Sequence, residues 1–293
     1  MKHSEETKGI AGLIAATFIY SFFGILTRIV GFEIPVFYAS AIRGLVSLAV
    51  LAILLFGKRL WISIKRADFL WFFIRSVGGF FGFIGSYFAF YYIPIGTAYF
   101  IFYGGSTIAG YFFGRFLFAE KITRIKLLSL MLALAGLLLI YAQSIGGGNA
   151  LWMGMAFIGG LGTGVWNTFS KKISGHYSDL QLNFIDFSFS VVFMLILSFL
   201  FREHWVAPAL NVIWLANALF VVMFLSTGQL MVYGFKRLDA QIGSLIMLSE
   251  VLFGVVLGYL FYREIPSDWA ILGGVLVITA IVLPEIRWKN RHQ

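Results

Sequence analysis

Two stretches of the chain decide its fold, GYFFGRFLFAEKITRIKLLSLMLALAGLLLI at 110–140 and VLFGVVLGYLFYREIPSDWAILGGVLVITAIVL at 251–283. Each contains two glycines four residues apart, then a glutamate after five further residues, then a hydroxyl residue that opens a new apolar run. A shift of 144 residues superimposes Gly110 on Gly254, Gly114 on Gly258, Glu120 on Glu264 and Thr123 on Ser267. The pattern indicates an internal duplication. We expect the paired glycines to permit close helix packing, and Thr123 and Ser267, with the glutamates nearby, to cap the helices that follow.

The composition around these stretches is that of a membrane protein. Of 293 residues, 60% are hydrophobic and only 12% are charged, whereas a soluble domain carries about 25% charged residues. A water-facing surface would need more polar cover than this chain can supply, and lipid as the solvent removes that need. The aromatic content of 18% suits lipid contact and interfacial belts.

The apolar runs divide into ten segments, each near the length of about 20 residues that a transmembrane helix needs. The predicted spans are 9–30, 35–56, 70–92, 95–118, 125–142, 150–170, 180–201, 213–235, 240–261 and 269–284. The runs are continuously apolar and do not alternate as barrel strands do, so the sequence predicts an all-α membrane protein.

Basic residues set the expected orientation. Seventeen of the 22 Lys and Arg residues fall on the side that both termini share, against three on the opposite side and two within spans. The seventeen are Lys2, Lys8, Lys58, Arg59, Lys65, Arg66, Arg115, Lys121, Arg124, Lys126, Lys171, Lys172, Lys236, Arg237, Arg287, Lys289 and Arg291. This bias predicts that both termini are cytoplasmic. The net charge of +9 therefore reflects membrane topology, and no nucleic-acid partner is expected.

The duplication and the span count together predict inverted repeats. Five spans per half is an odd number, so the second half must enter the membrane in the opposite orientation. We expect one five-helix repeat at 1–145 and a second at 146–293. Inverted repeats give many secondary transporters two alternating conformations around a site near the bilayer midplane.

The quoted stretches resemble the EamA-type branch of the drug/metabolite transporter superfamily, over essentially the whole chain. Leu248-Ser249-Glu250-Val251 resembles a Leu-Glu-Pro motif without its proline, and Ala41-Ile42-Arg43 resembles an Ala-x-Arg motif. The segment FIRSVGGFFGFIGSYFAFYYIP at 73–94 is similar to the branch that contains S-adenosylmethionine transporters, although Ser76 stands where that branch has glycine. The resemblance implies a multi-pass carrier of the cell inner membrane for amino acids, nucleoside-linked metabolites or small organic cations.

Four ionisable residues within the spans are candidates for substrate binding, because charges at membrane depth are costly and commonly mark a transport pathway. Glu250 and Arg43 lie near the middle of their spans, and Asp186 and Arg75 lie nearer the cytoplasmic end. Glu250 could hold a cationic group of the substrate, carry a proton, or be a structural partner of Arg43 or of a hydroxyl neighbour. Arg43 could hold a substrate carboxylate or neutralise Glu250. Arg75 could instead be an interfacial or packing residue, and the same doubt applies to Asp186.

Polar and aromatic residues complete the candidate site. Tyr99 and Tyr103 are one turn apart and share a helix face with Ser106, which the 144-residue shift superimposes on Glu250. We therefore expect a central cavity between the fourth and ninth spans with Tyr99, Tyr103 and Glu250 on its wall. Additional substrate-binding candidates are Trp166, Asn167 and Tyr20.

The residue types and motifs that the sequence lacks reduce the number of functions to consider. The chain has no cysteine, and its four histidines lie outside the predicted spans, so neither a metal site nor a cofactor is expected. There is no phosphate-binding loop of the Walker type. A secondary carrier for a small polar metabolite, working with protons or a counter-substrate, fits best, and the chain is not expected to be an enzyme. A membrane enzyme would show interfacial His, Asp or Glu clusters, and a membrane interaction protein would not need charges at mid-depth.

Overall fold

The computed structural model describes residues 2–31, 33–93, 95–141, 149–263 and 265–289, and the regular secondary structure of these residues is helix, with no β-strand. The helices are α1 (Lys2–Tyr20), α2 (Phe23–Val30), α3 (Val36–Gly57), α4 (Arg66–Tyr92), α5 (Ile95–Phe118), α6 (Arg124–Tyr141), α7 (Ala150–Ile173), α8 (Asp179–Leu200), α9 (Val212–Phe235), α10 (Ala240–Ile246), α11 (Ser249–Tyr262) and α12 (Asp268–Lys289).

Each of the ten predicted apolar segments falls on helix. The first is divided between α1 and α2 and the ninth between α10 and α11, so that each contains a short break. Within the described residues, seven stretches are long and apolar enough to cross a membrane: Ser4–Thr27, Val36–Gly57, Arg66–Ala89, Arg124–Tyr141, Asp179–Leu200, Val212–Phe235 and Ala240–Tyr262. The predicted end of the fifth span at 142 and the predicted repeat boundary at 145 and 146 lie outside the described residues.

Several of the main helix contacts recur between the counterpart helices when the two halves of the chain are exchanged. Helix α3 packs on α8, and α6 packs on α12, so that the second and fifth helices of each half meet their counterparts. The third helix of the first half, α4, packs on α7, the first of the second half. The reverse contact, between α9 and α1, is also present. The bundle therefore has an internal twofold pattern of contacts.

Glycines permit the backbones of counterpart helices to touch. A Cβ atom on Gly273 of α12 would lie 2.5 Å from the carbonyl oxygen of Gly136 on α6. Of the glycines singled out from the sequence, Gly110 packs directly against Ser244 of α10, as expected. Gly254 has nothing within 4 Å of a Cβ position, so the close helix approach predicted there is wrong. Gly254 is exposed on α11, and no described atom approaches its Cβ position.

The predicted helix caps are present, but Glu120 acts at a different helix from the one expected. Thr123 Oγ1 accepts the amide of Lys126 at 3.3 Å, and Ser267 Oγ accepts that of Ala270 at 3.2 Å. The Glu120 carboxylate turns away from this helix start and caps the first turn of α10 instead. Its counterpart, Glu264, lies outside the described residues.

Candidate functional site

A cavity of about 240 Å³ lies at the centre of the bundle, where both halves of the chain contribute to its wall. Eight of the nine residues selected from the sequence line it: Tyr20, Arg43, Tyr99, Tyr103, Trp166, Asn167, Asp186 and Glu250. The ninth, Arg75, lies behind the wall against Asp186. The structure therefore brings the candidates together, although they come from seven different helices.

Glu250 owes its position to the break between α10 and α11. The backbone turns at Met247 and Leu248, and Glu250 is the second residue of the new helix. The positive end of a helix dipole favours a carboxylate at such a position. Thr17 and Ser249 hold the break against α1 through a hydroxyl contact of 2.7 Å.

Three tyrosine rings stack beside Glu250. The rings of Tyr99 and Tyr103 are 5.7 Å apart and nearly parallel, as expected for residues on one helix face. Tyr141, at the end of α6, stacks on Tyr99 at 6.0 Å. Tyr103 and Glu250 lie on the same cavity wall. Sequence reasoning missed Tyr141, because a tyrosine at the end of a span is more typical of an interfacial belt.

Tyr20 lines the cavity at the other helix break. It is the last residue of α1, and the chain turns at Ser21 and Phe22 before α2 begins. Its ring packs edge-on against Phe224 of α9, with the centroids 6.2 Å apart. Both broken helices therefore place a candidate residue on the cavity wall next to the break.

Arg43 is turned toward α9 and does not pair with Glu250. Its side chain is 8% exposed, its Nε donates to Asn217 Oδ1, and its guanidinium carbon lies 4.0 Å from the centroid of the Phe220 ring. Within the described part of the chain, no carboxylate is within ion-pairing distance of Arg43. Arg43 therefore does not neutralise Glu250 in this structure, because Asn217 and Phe220 orient its guanidinium.

Arg75 and Asp186 form a buried ion pair between α4 and α8. Arg75 is fully buried and also donates to Ser170 Oγ at 2.9 Å. The interfacial position considered for it from the sequence is therefore wrong, because its partners lie inside the bundle. Asp186 accepts two further hydrogen bonds, from Ser76 Oγ at 2.7 Å and from Trp166 Nε1 at 2.6 Å.

Several buried polar atoms in residues that line the cavity have no hydrogen-bond partner among the described residues. Within the described residues, the buried atoms Asn167 Oδ1, Asn183 Nδ2 and Ser40 Oγ accept or donate no hydrogen bond. Buried polar atoms are rarely left unpaired, so these three are the unsatisfied polar groups in the side chains that form the cavity wall. Asn183, Ser40 and Asn217 were not selected from the sequence. Each is an uncharged polar residue within an apolar span. Many other residues of the chain share this property, so it does not select these three.

No metal centre is apparent. The described residues contain no group of three or more His, Cys, Asp or Glu side chains that could hold an ion. The cavity wall offers charged groups, hydrogen-bonding groups and aromatic surface.

Comparison with known proteins agrees with this description. The family model of the EamA-like transporter family matches twice, at residues 7–142 and 150–284. A solved structure, described only as the crystal structure of a protein, superimposes with a TM-score of 0.81. It shares 17% identity over 98% of this chain and 99% of its own, which shows a common fold. No curated protein matches the sequence. The chain is a multi-pass membrane protein and belongs to the EamA-like transporter family.

Proposed function

We propose that this protein is a secondary carrier that moves a small polar metabolite across the inner membrane by alternating access, and that it is not an enzyme. The observation that carries the proposal is the central cavity, which gathers Arg43, Asp186 and Glu250 from three helices. Charged side chains at membrane depth are costly and are typically kept where they face a transport pathway.

The proposed architecture is ten transmembrane helices in two inverted repeats, 1–145 and 146–293. The exchange-symmetric helix contacts support it, as do the two family matches. An odd number of spans per repeat would invert the second repeat, and the distribution of basic residues supports cytoplasmic termini. The two helix breaks, next to Tyr20 and Glu250, resemble the discontinuous helices that form sites in other transporters.

The proposed substrate is an amino acid or an S-adenosylmethionine-like compound. The cavity offers an acidic group, a basic group and aromatic surface, which together fit a molecule with both an amine or sulfonium and a carboxylate. The resemblance of residues 73–94 to the S-adenosylmethionine branch supports the second compound. Glu250 could carry a proton, or a second metabolite could return in exchange. The partners we propose are therefore a small-molecule substrate, the lipid bilayer, and either protons or a counter-substrate.

Uptake into liposomes that contain the purified protein tests this function. The liposomes are preloaded with unlabelled amino acids or S-adenosylmethionine, and a trace of the labelled compound is added outside. A carrier should accumulate label transiently by counterflow, which liposomes without protein should not do. Absence of counterflow with every amino acid and with S-adenosylmethionine would contradict the proposed substrate class.

A further inference from the structure

The charged groups of the cavity divide into a compensated pair and two isolated charges. Asp186 is neutralised by Arg75 and also accepts hydrogen bonds from Ser76 and Trp166. Its carboxylate therefore has little attraction left for a ligand. Arg43 and Glu250 have opposite signs, line the same cavity, and are not within ion-pairing distance of each other.

Arg43 presents the geometry of a carboxylate receptor. Its Nε is used by Asn217, and its planar group rests on the ring of Phe220. No hydrogen bond from either terminal nitrogen, Nη1 or Nη2, to another described residue is found. Two parallel N–H groups on one guanidinium can bind a carboxylate through two hydrogen bonds, an arrangement we call the Arg43 fork. Asn217 and Phe220 hold the guanidinium in position.

Glu250 presents the complementary receptor for a cation. The described residues place no lysine, arginine or histidine nitrogen within 4 Å of its carboxylate. Tyr103 lies on the same cavity wall, and the stacked rings of Tyr99 and Tyr103 flank it. A carboxylate beside aromatic rings favours an organic cation.

We infer that the substrate is a dipolar ion bound at two points, with its carboxylate on the Arg43 fork and its cationic group at Glu250. This inference rests on the proposed carrier function and specifies its substrate and orientation. A buried charge without a partner is strongly destabilising, and a ligand with both charges supplies the missing partner to each. A ligand with one charge leaves the other side chain uncompensated.

Isothermal titration calorimetry with matched ligands tests the inference. S-adenosylmethionine and the amino acids are first titrated into the full-length protein in detergent. Each amino acid that binds is compared with its methyl ester, which keeps the cation, and with its N-acetyl derivative, which keeps the carboxylate. The intact zwitterion should bind the wild-type protein at least about tenfold more tightly than either derivative, a difference of about 1.4 kcal/mol.

Two variants test which side chain binds each end of the ligand. Arg43→Met should weaken zwitterion binding at least about tenfold but leave the affinity for the methyl ester unchanged. Glu250→Gln should weaken zwitterion binding similarly but leave the affinity for the N-acetyl derivative unchanged. Thr279→Val is the control and should not alter any affinity, because Thr279 is exposed on α12 and is not among the residues that line the cavity.

The ligand series on the wild-type protein is decisive even if a variant fails to fold. A methyl ester that binds as tightly as the zwitterion would overturn the role of Arg43, and an equally tight N-acetyl derivative would overturn that of Glu250. If neither S-adenosylmethionine nor any amino acid binds at millimolar concentration, the inference is rejected. If counterflow is observed but the ligands do not show this binding pattern, the proposed carrier function is retained and the two-point site is rejected.

Discussion

The carboxylate of Glu120 accepts the backbone amide of Ala240 at 2.7 Å, although the two residues are 120 positions apart. The same carboxylate accepts the amide of Gln241 at 3.2 Å and pairs with Lys171 at 2.8 Å. The connection between α5 and α6 is thereby fixed to the start of α10 and to the end of α7. Since α10 leads directly to the break that positions Glu250, this cap supports the cavity from one end of the bundle.

Removal of the cap should destabilise the protein. Glu120→Ala leaves the amides of Ala240 and Gln241 buried without an acceptor, a loss of about 1–3 kcal/mol for each buried group. Thermal unfolding in detergent should show a lower midpoint for this variant. Glu5→Ala is the matched control, because Glu5 makes its ion pairs with Lys8 and Arg237 on the exposed surface and should change the midpoint little. Equal effects of the two variants would contradict the role assigned to Glu120.

The buried pair of Arg75 and Asp186 should show strong coupling. Arg75→Met leaves the Asp186 carboxylate without its cation, which is expected to reduce stability by about 3–5 kcal/mol. The second substitution, Asp186→Asn, removes the unpaired charge and should recover part of this loss. A double-mutant cycle on the free energy of unfolding measures the coupling. Additive effects, within about 0.5 kcal/mol, would mean that the two side chains do not interact as described.

Sequence reasoning located most of the candidate site because depth in a span restricts charged residues strongly. Glu250, Arg43 and Asp186 stand out in an apolar sequence, and all three line the cavity. Their pairing could not be deduced in the same way. The partner of Arg43 is Asn217, 174 positions away, and only the packing of α3 beside α9 brings the two together.

The helix segments were predictable from apolar run lengths, whereas the helix breaks were not. Neither Ser21–Phe22 nor Met247–Leu248 contains the proline or glycine that commonly marks a break. The role of Glu120 was also misplaced, because a carboxylate can cap any helix start within reach. Which helix start that is depends on tertiary contacts between α5 and α10.

Two glycines should respond in opposite ways to the same substitution. Gly273→Ala places a methyl group 2.5 Å from the Gly136 carbonyl oxygen, and overpacking of this kind costs about 1–3 kcal/mol. Gly254→Ala enters open space and gains helix propensity, so it should leave stability unchanged or raise it. Thermal unfolding of the two variants measures the difference. A destabilising Gly254→Ala would contradict the exposed position of α11.

The proposed topology can be measured with reporter fusions. Reporters at the N-terminus and the C-terminus should both indicate the cytoplasm, and a reporter between α8 and α9, near His204, should indicate the exterior. The physical reason is the bias of basic residues toward the side that both termini share. If either terminus proves external, both the count of ten spans and the inverted repeat are wrong.

The central claim is that transport depends on Glu250 at the cavity wall, and counterflow by the Glu250→Gln variant tests it most directly. Glutamine keeps the size and hydrogen-bonding capacity of the side chain but removes its charge and its ability to titrate. With the substrate that the wild-type protein exchanges, we predict at least about a tenfold loss of transport, about 1.4 kcal/mol of interaction, with a thermal unfolding midpoint no lower than that of the wild-type protein. Transport by Glu250→Gln at the wild-type rate would contradict the account.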